Sequence, residues 1–314
     1  MKILITGGAG FIGSNITRAL CREHEVVVID NLTTGYIENI KDVVESGIIK
    51  FVRGDVTKDA DIKRAIDGVD VILHTAAIAS VEKSIKNPLK TNDVNVRGTL
   101  KLLNFALKFD VEKFVYSSSC AVYGDSKEIP KREDMKPAPL SPYAVSKVTS
   151  EYYINAFSEL YGIKGISLRY FNVFGPFQSF KSSYASVVPN FIYSILNNKT
   201  PRIYGDGNQT RDFIYVKDVV KANVLAIEDK TVKNDVINIG SGIETSILSL
   251  FNTIKEIAGR DVAPLFLSAR KGDIKRSFAD ISKAKKVLGF VPEYSLKEGI
   301  VETFEWFKKK LKNI

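Results

Sequence analysis

Thr6-Gly7-Gly8-Ala9-Gly10-Phe11-Ile12-Gly13 follows the apolar run Lys2-Ile3-Leu4-Ile5 and leads into a helical pattern that begins at Phe11. It contains a GxGxxG at Gly8, Gly10 and Gly13 and equally a GxxGxxG at Gly7, Gly10 and Gly13. Glycines between a strand and a helix let the backbone approach a pyrophosphate, whose charge meets the N–H groups and positive dipole of the helix N-terminus. The next β-branched run, Glu25–Asp30, closes on an acid, which is the context that makes a dinucleotide site credible. Asp30 is expected to accept from an adenosine ribose 2'-hydroxyl and to repel a 2'-phosphate, selecting NAD over NADP. The competing readings are a tight turn without a ligand for the glycines and a capping role for Asp30.

Outward from this loop, short β-branched runs alternate with helical patterns. Strands are predicted near Lys2–Ile5, Glu25–Asp30, Lys50–Val52, Val69–His74, Lys113–Ser117 and Gly165–Tyr170, and helices beginning near Phe11, Lys58, Leu89 and Ser141. That rhythm predicts an α/β fold of the Rossmann type, a doubly wound parallel sheet with helices on both faces. After Tyr170 the pattern loses regularity, with turn signals at Gly175-Pro176, Gly205-Asp206-Gly207 and Gly240-Ser241-Gly242. We therefore expect a dinucleotide-binding domain over 1–170, with return segments near 212–240, and a smaller mixed α/β substrate domain over 171–314.

The totals restrict the alternatives. The chain has 314 residues and a formal charge of +9, with its basic residues scattered apart from Lys308-Lys309-Lys310. Scattered charge predicts solvated helix faces rather than a nucleic-acid or membrane patch, and it suits a polyanionic small ligand. Cys21 and Cys120 form no CxxC, and His24 and His74 show no ligand spacing, so neither a disulfide scaffold nor a metal is expected. No apolar run approaches the ~18 residues needed to span a bilayer, and the apolar start is too short for a secretory core, so a cytoplasmic protein is expected.

Ser141-Pro142-Tyr143-Ala144-Val145-Ser146-Lys147 places a phenol and an ammonium group one helical turn apart on one face. A tyrosine titrates near ~10, so serving as a base at neutral pH demands a drop of about three units, or ~4 kcal/mol of preference for phenolate. Nearby positive charge supplies such a preference, from Lys147 and from an oxidised nicotinamide. Ser117-Ser118-Ser119 ends the fifth predicted strand, and Ser119 is assigned as the hydroxyl that shares the substrate's hydrogen bond. Taken alone, the pair is also what chance helical spacing produces, and the serines are also what a cap requires.

These stretches, together with "VVVIDNLTTG", "GDVT", "SSSCAVYGD", "LRYFNVFGP", "GDGNQTRDFIYV" and "GDIKRSFAD", resemble the extended short-chain dehydrogenase/reductase family, and within it the UDP-sugar 4-epimerases, over nearly the whole chain. The resemblance implies a tightly held NAD on Gly7, Gly10, Phe11, Ile12, Gly13 and Asp30, adenine contacts at Asp55 and Val56, and further cofactor contacts at Asn31, Ala76, Ala77, Asn95, Tyr143, Lys147 and Tyr170. It implies a UDP-hexose or UDP-N-acetylhexosamine between the domains, met by Ser80, Ser119, Tyr143, Asn172, Ser186, Val187, Tyr204, Arg211, Arg270, Asp273 and Ser277. In it Arg211 and Arg270 face the diphosphate, where a planar guanidinium suits phosphate, and Asp273 reaches a ribose. The implied reaction is inversion at C4 through a transient 4-keto sugar, with Tyr143 as base, in a homodimer formed through two helices per subunit.

Neighbouring activities are weighed by residue rather than by fold. The 4,6-dehydratases carry Asp-Glu after the catalytic hydroxyl residue and the UDP-glucuronate decarboxylases a glutamate, whereas this chain has Cys120-Ala121. A decarboxylase is the alternative within the fold. A non-catalytic NAD sensor or RNA-binding scaffold is the alternative of another class, against which the complete Tyr-Lys pair argues. Ser277 stands where some family members close the sugar pocket with tyrosine, Ser186 where those enzymes have asparagine, and Ala79 where they have lysine. An open pocket predicts that UDP-GlcNAc and UDP-GalNAc are accepted, with or without UDP-glucose and UDP-galactose. Phe177 occupies a position where relatives often have arginine.

Overall fold

The computed structural model describes residues 1–180, 186–269 and 274–312. In chain order its strands are β1 (Lys2–Thr6), β2 (Glu25–Asp30), β3 (Ile49–Arg53), β4 (Val71–His74), β5 (Lys113–Ser119), β6 (Lys164–Tyr170), β7 (Asn172–Phe174), β8 (Arg202–Tyr204), β9 (Thr210–Arg211), β10 (Phe213–Tyr215), β11 (Asn234–Ile239), β12 (Thr245–Ser246), β13 (Leu265–Leu267) and β14 (Arg276–Ser277). Seven of them form one parallel sheet in the order β11-β6-β5-β4-β1-β2-β3. The chain winds outward from β1 to β3 and then crosses to β4 on the other side. The resulting switch point lies between β1 and β4, where open sheets of this kind hold ligands beyond the strand ends.

The sheet is buried on both faces, which is why its strands read as nearly unbroken apolar runs such as Glu25-Val26-Val27-Val28-Ile29-Asp30. On one face Ile3, Ile5, Val26 and Val28 pack against Ile16 and Leu20 of the helix Phe11–Leu20 and against Val219, Ala222 and Ala226 of the helix Val216–Glu228. On the other, Leu4, Val27, Ile72 and Phe114 meet Ile62 of the helix Asp59–Ile66, Leu102, Leu103 and Ala106 of the helix Gly98–Lys108, and Ile154 and Phe157 of the helix Pro142–Tyr161.

A separate core joins Phe174, Phe191, Ile203, Phe213, Tyr215, Leu250, Phe251, Phe304 and Phe307 beyond the carboxyl ends of the strands. Small sheets carry this lobe: β10-β7, β12-β9-β14 and β13-β8. The chain returns to the large sheet through Val216–Glu228 and β11, and once more through Ala284, Leu288 and Phe290, a second return beyond the 212–240 expected from the sequence.

Candidate active site

The glycine loop is built as its chemistry requires. Gly7 takes φ +70°, and a Cβ there would sit 2.8 Å from Ala76 Cα across the switch point. A Cβ on Gly13 would lie 2.2 Å from the Gly7 carbonyl oxygen, so any side chain would close the cradle. Gly10 starts the helix Phe11–Leu20 without a side-chain cap, and no acid stands in its first turn, which leaves the helix dipole for an anionic ligand. Asp30 ends β2 almost buried; its Oδ2 accepts from Ala9 N at 3.0 Å and its Oδ1 from Leu32 N at 2.8 Å. Burial pushes its pKa up and those two bonds oppose the rise. It therefore does act as a local anchor, yet it also lines the cavity, and a carboxylate has lone pairs left for a ribose hydroxyl.

That cavity, of about 330 Å³, is lined by Gly7, Gly10, Phe11, Ile12, Gly13, Asp30, Asn31, Asp55, Val56, Ala76, Ala77, Tyr143, Lys147 and Tyr170. Every expected cofactor residue is among them except Asn95. Asn95 lies in a π turn, Asp93–Arg97, and is buried behind the wall, where its amide bonds both the N–H and the carbonyl of Ile78 and donates to Ser146 Oγ. The carbonyl of Asn95 is taken by Ser150 Oγ at 3.1 Å and by Thr99 Oγ1 at 2.5 Å. It shapes the wall without standing in it.

The helix Pro142–Tyr161 starts on Ser141, whose hydroxyl accepts from Ala144 N, with Pro142 at the first helical position, and stops at Gly162 in the left-handed region. This fixes the phase that brings Tyr143 and Lys147 to the cavity. Lys147 Nζ donates to Ser117 O at 2.6 Å and lies 4.7 Å from the Tyr116 ring centre. Ser119 closes β5, and its hydroxyl caps the short turn after it by accepting from Ala121 N. Burial pushes Tyr143 up to about 12, opposed by a hydrogen bond with Ser119, and pulls Lys147 down to about 7, opposed by Glu151. The chain's own groups thus leave the phenol protonated, and ionising it calls for added positive charge, which an oxidised nicotinamide carries.

A second cavity of about 610 Å³ extends into the smaller lobe. It shares Phe11, Ile12, Ala79, Ser118, Tyr143 and Tyr170 with the first, so Tyr143 stands where the two meet. Of the expected substrate residues, Ser119, Tyr143, Asn172, Ser186, Val187, Tyr204, Arg211 and Ser277 line it. Arg211 also donates to the carbonyls of Thr210 and Ile274 at 2.7 and 2.6 Å, which ties it to the lobe's own backbone. Ser80 does not line it: it caps the helix Val81–Lys86 by accepting from Lys83 N at 3.2 Å. Arg270 and Asp273 lie outside the described residues. Gln178, Asn190, Arg202 and Gln209 line the cavity and were not anticipated. Strand alternation would have found Arg202, two positions from Tyr204 on β8, and helical spacing would have found Asn190, one turn from Ser186 and Val187; Gln178 and Gln209 come from irregular segments with no such signal.

Residues 3–240 match the NAD dependent epimerase/dehydratase family. The chain is 44% identical over 309 residues to a putative UDP-glucose 4-epimerase of Methanocaldococcus jannaschii, covering 98% of each. It is similar in structure to a UDP-N-acetylglucosamine 4-epimerase from Methanobrevibacter ruminantium in complex with UDP-N-acetylmuramic acid, at TM-score 0.95 and 41% identity over 98% of both chains. It is also similar to a UDP-glucose 4-epimerase with UDP-glucose from Thermotoga maritima, at TM-score 0.94 and 39% identity, over 99% of this chain and 100% of that one. With the glycine cradle, the acid of β2 and the Tyr-Lys pair in place, the chain belongs to the NAD dependent epimerase/dehydratase family, and NAD is its cofactor.

Proposed function

We propose that the protein is a UDP-sugar 4-epimerase that inverts C4 of a UDP-hexose through a 4-keto sugar. The observation that carries this reading is the position of Tyr143 at the junction of the two cavities, with Lys147 behind it and Ser119 beside it. When bound, NAD supplies the two-electron acceptor and donor of the cycle. Tyr143, as phenolate, takes the proton of the sugar 4-hydroxyl and later returns it; Ser119 shares that hydrogen bond; Lys147 favours the phenolate by its charge. Arg211, with Arg270 and Asp273 from outside the described residues, holds the nucleoside diphosphate while the oxidised sugar turns over on this tether. A roomy second cavity favours that turn, and the names of the similar proteins support the substrate class.

Cys120 carries no carboxyl group where dehydratases and decarboxylases have their acids, and desolvation pushes its thiol up to about 12. Ser277 is 5% exposed on β14 and lines the second cavity, so a small side chain leaves room there for an N-acetyl group. We read the pocket as accepting UDP-GlcNAc and UDP-GalNAc. Incubation with the four UDP-hexoses, followed by product separation, tests this: interconversion within the acetylated pair supports it, and turnover of the plain pair alone overturns the open pocket. Leu89, Tyr152, Leu160 and Tyr161 are exposed on the helices Pro88–Asn92 and Pro142–Tyr161, which supports a dimer through these helices. A mass in solution of one chain would reject it. Among the described residues no helix is long and apolar enough to cross a membrane.

A further inference from the structure

We propose that Glu151 is a positioning residue of this reaction, clamping the catalytic helix to the end of β5 and providing the negative charge that holds Lys147 as an ammonium group. The proposal rests on the reading of Tyr143 and Lys147 given above. Three consecutive serines do three separate things at the end of β5. Ser117 offers its carbonyl to Lys147, and its hydroxyl meets Tyr170 OH at 3.1 Å. Ser118, on the opposite face, donates to Glu151 Oε1 at 2.5 Å, and Ser119 reaches Tyr143. Lys147 and Glu151 lie one helical turn apart on the helix Pro142–Tyr161, so one helix face grips two successive residues of the strand that carries Ser119.

The carboxylate is locked from its far side as well. Arg169 of β6 donates through Nε to Oε1 at 3.0 Å and through NH2 to Oε2 at 2.7 Å, with both side chains nearly inaccessible. Arg169 NH1 continues to Tyr123 OH at 2.9 Å, which donates to Asn238 Oδ1 at 2.6 Å. The groups around Lys147 are Tyr143 and Glu151 on its own helix, Tyr116 on β5, Tyr170 on β6 and His74 on β4, which burial keeps neutral, with Asp30, Asp55 and Lys90 lining the same cavity and Arg169 paired to Glu151. Burial works against the Lys147 ammonium, and Glu151, one turn further along the same helix, favours it. Without it the lysine loses its proton at lower pH, and the phenolate loses its partner.

The test is the pH profile of kcat for wild type, Glu151→Gln and Glu151→Asp. Activity falls at high pH as Lys147 deprotonates; in Glu151→Gln this limb is expected to move down by about one pH unit, as one lost neighbouring charge implies. Glu151→Asp, which keeps the charge and shortens the reach, is expected to turn over more slowly with the limb in place. A limb that stays put in Glu151→Gln, or activity reduced equally at every pH, overturns the proposal. Should Glu151→Gln not fold, Ser118→Ala is read instead: it keeps the carboxylate, so kcat falls and the limb stays, and a moved limb overturns the proposal. If Tyr143→Phe is inactive while the Glu151 variants behave as wild type, only the role of Glu151 fails.

Discussion

The Lys147 ammonium lies 5.8 Å from the centre of the Tyr143 ring and is fixed there by its bond to the Ser117 carbonyl. The arrangement is unfavourable for both groups by themselves, since burial raises the phenol and lowers the amine. Positive charge brought beside the phenol by an oxidised nicotinamide would favour its phenolate.

Lys147→Met is expected to lower kcat by about 10²–10⁴-fold, the usual worth of a positioned acid-base partner, with a much smaller change in affinity for UDP. Steady-state kinetics beside calorimetric UDP titration separates the two. Equal losses in both would make Lys147 a packing residue.

Ser277→Tyr fills the wall of the second cavity. Turnover of the N-acetylated pair should disappear while any activity on the plain UDP-hexoses remains. Loss of both to the same degree would refute the gate.

Arg211→Ala removes a charge that faces the second cavity from β9. A charge-assisted bond is worth about 1.5–3 kcal/mol, so KM for a UDP-sugar should rise by about ten- to a hundredfold, with kcat less affected. An unchanged KM would place the diphosphate elsewhere.

His74 is buried between Thr6 Oγ1 at 2.7 Å and Thr99 Oγ1 at 2.9 Å, and burial pulls its pKa down to about 3. Unfolded, the ring binds its proton near 6.5, so between these values the unfolded state holds more protons. Stability is therefore full above pH 6.5 and declines as pH falls, by about 2 kcal/mol at pH 5. Urea unfolding at pH 7 and pH 5 measures this, and His74→Asn should flatten the dependence. A slope unaltered by that variant would exonerate the histidine.

Much of this was legible in the chain because local sterics dictate it. Gly7 and Gly13 face backbone at distances no Cβ allows, and the predicted strands lie within about two residues of those observed, as apolar runs buried on both faces should. Tyr143 and Lys147 followed from the helical period read together with the glycine loop at the same edge of the sheet. Asn95 is buried in a π turn and Ser80 caps a helix, so neither lines the cavity where it was expected, and the π turn has no spacing signature. The second return of the chain at Ala284–Phe290, and the entry of Gln178 into the second cavity, are decided by packing between distant segments.

Substitution of Tyr143 by phenylalanine, which removes one oxygen from the junction of the two cavities, is the most direct measurement. With NAD and UDP-sugar still bound, isomerisation by Tyr143→Phe should fall by about 10²-fold or more. Isomerisation at the wild-type rate would mean that some other group moves the proton, and the assignment of the site would be wrong.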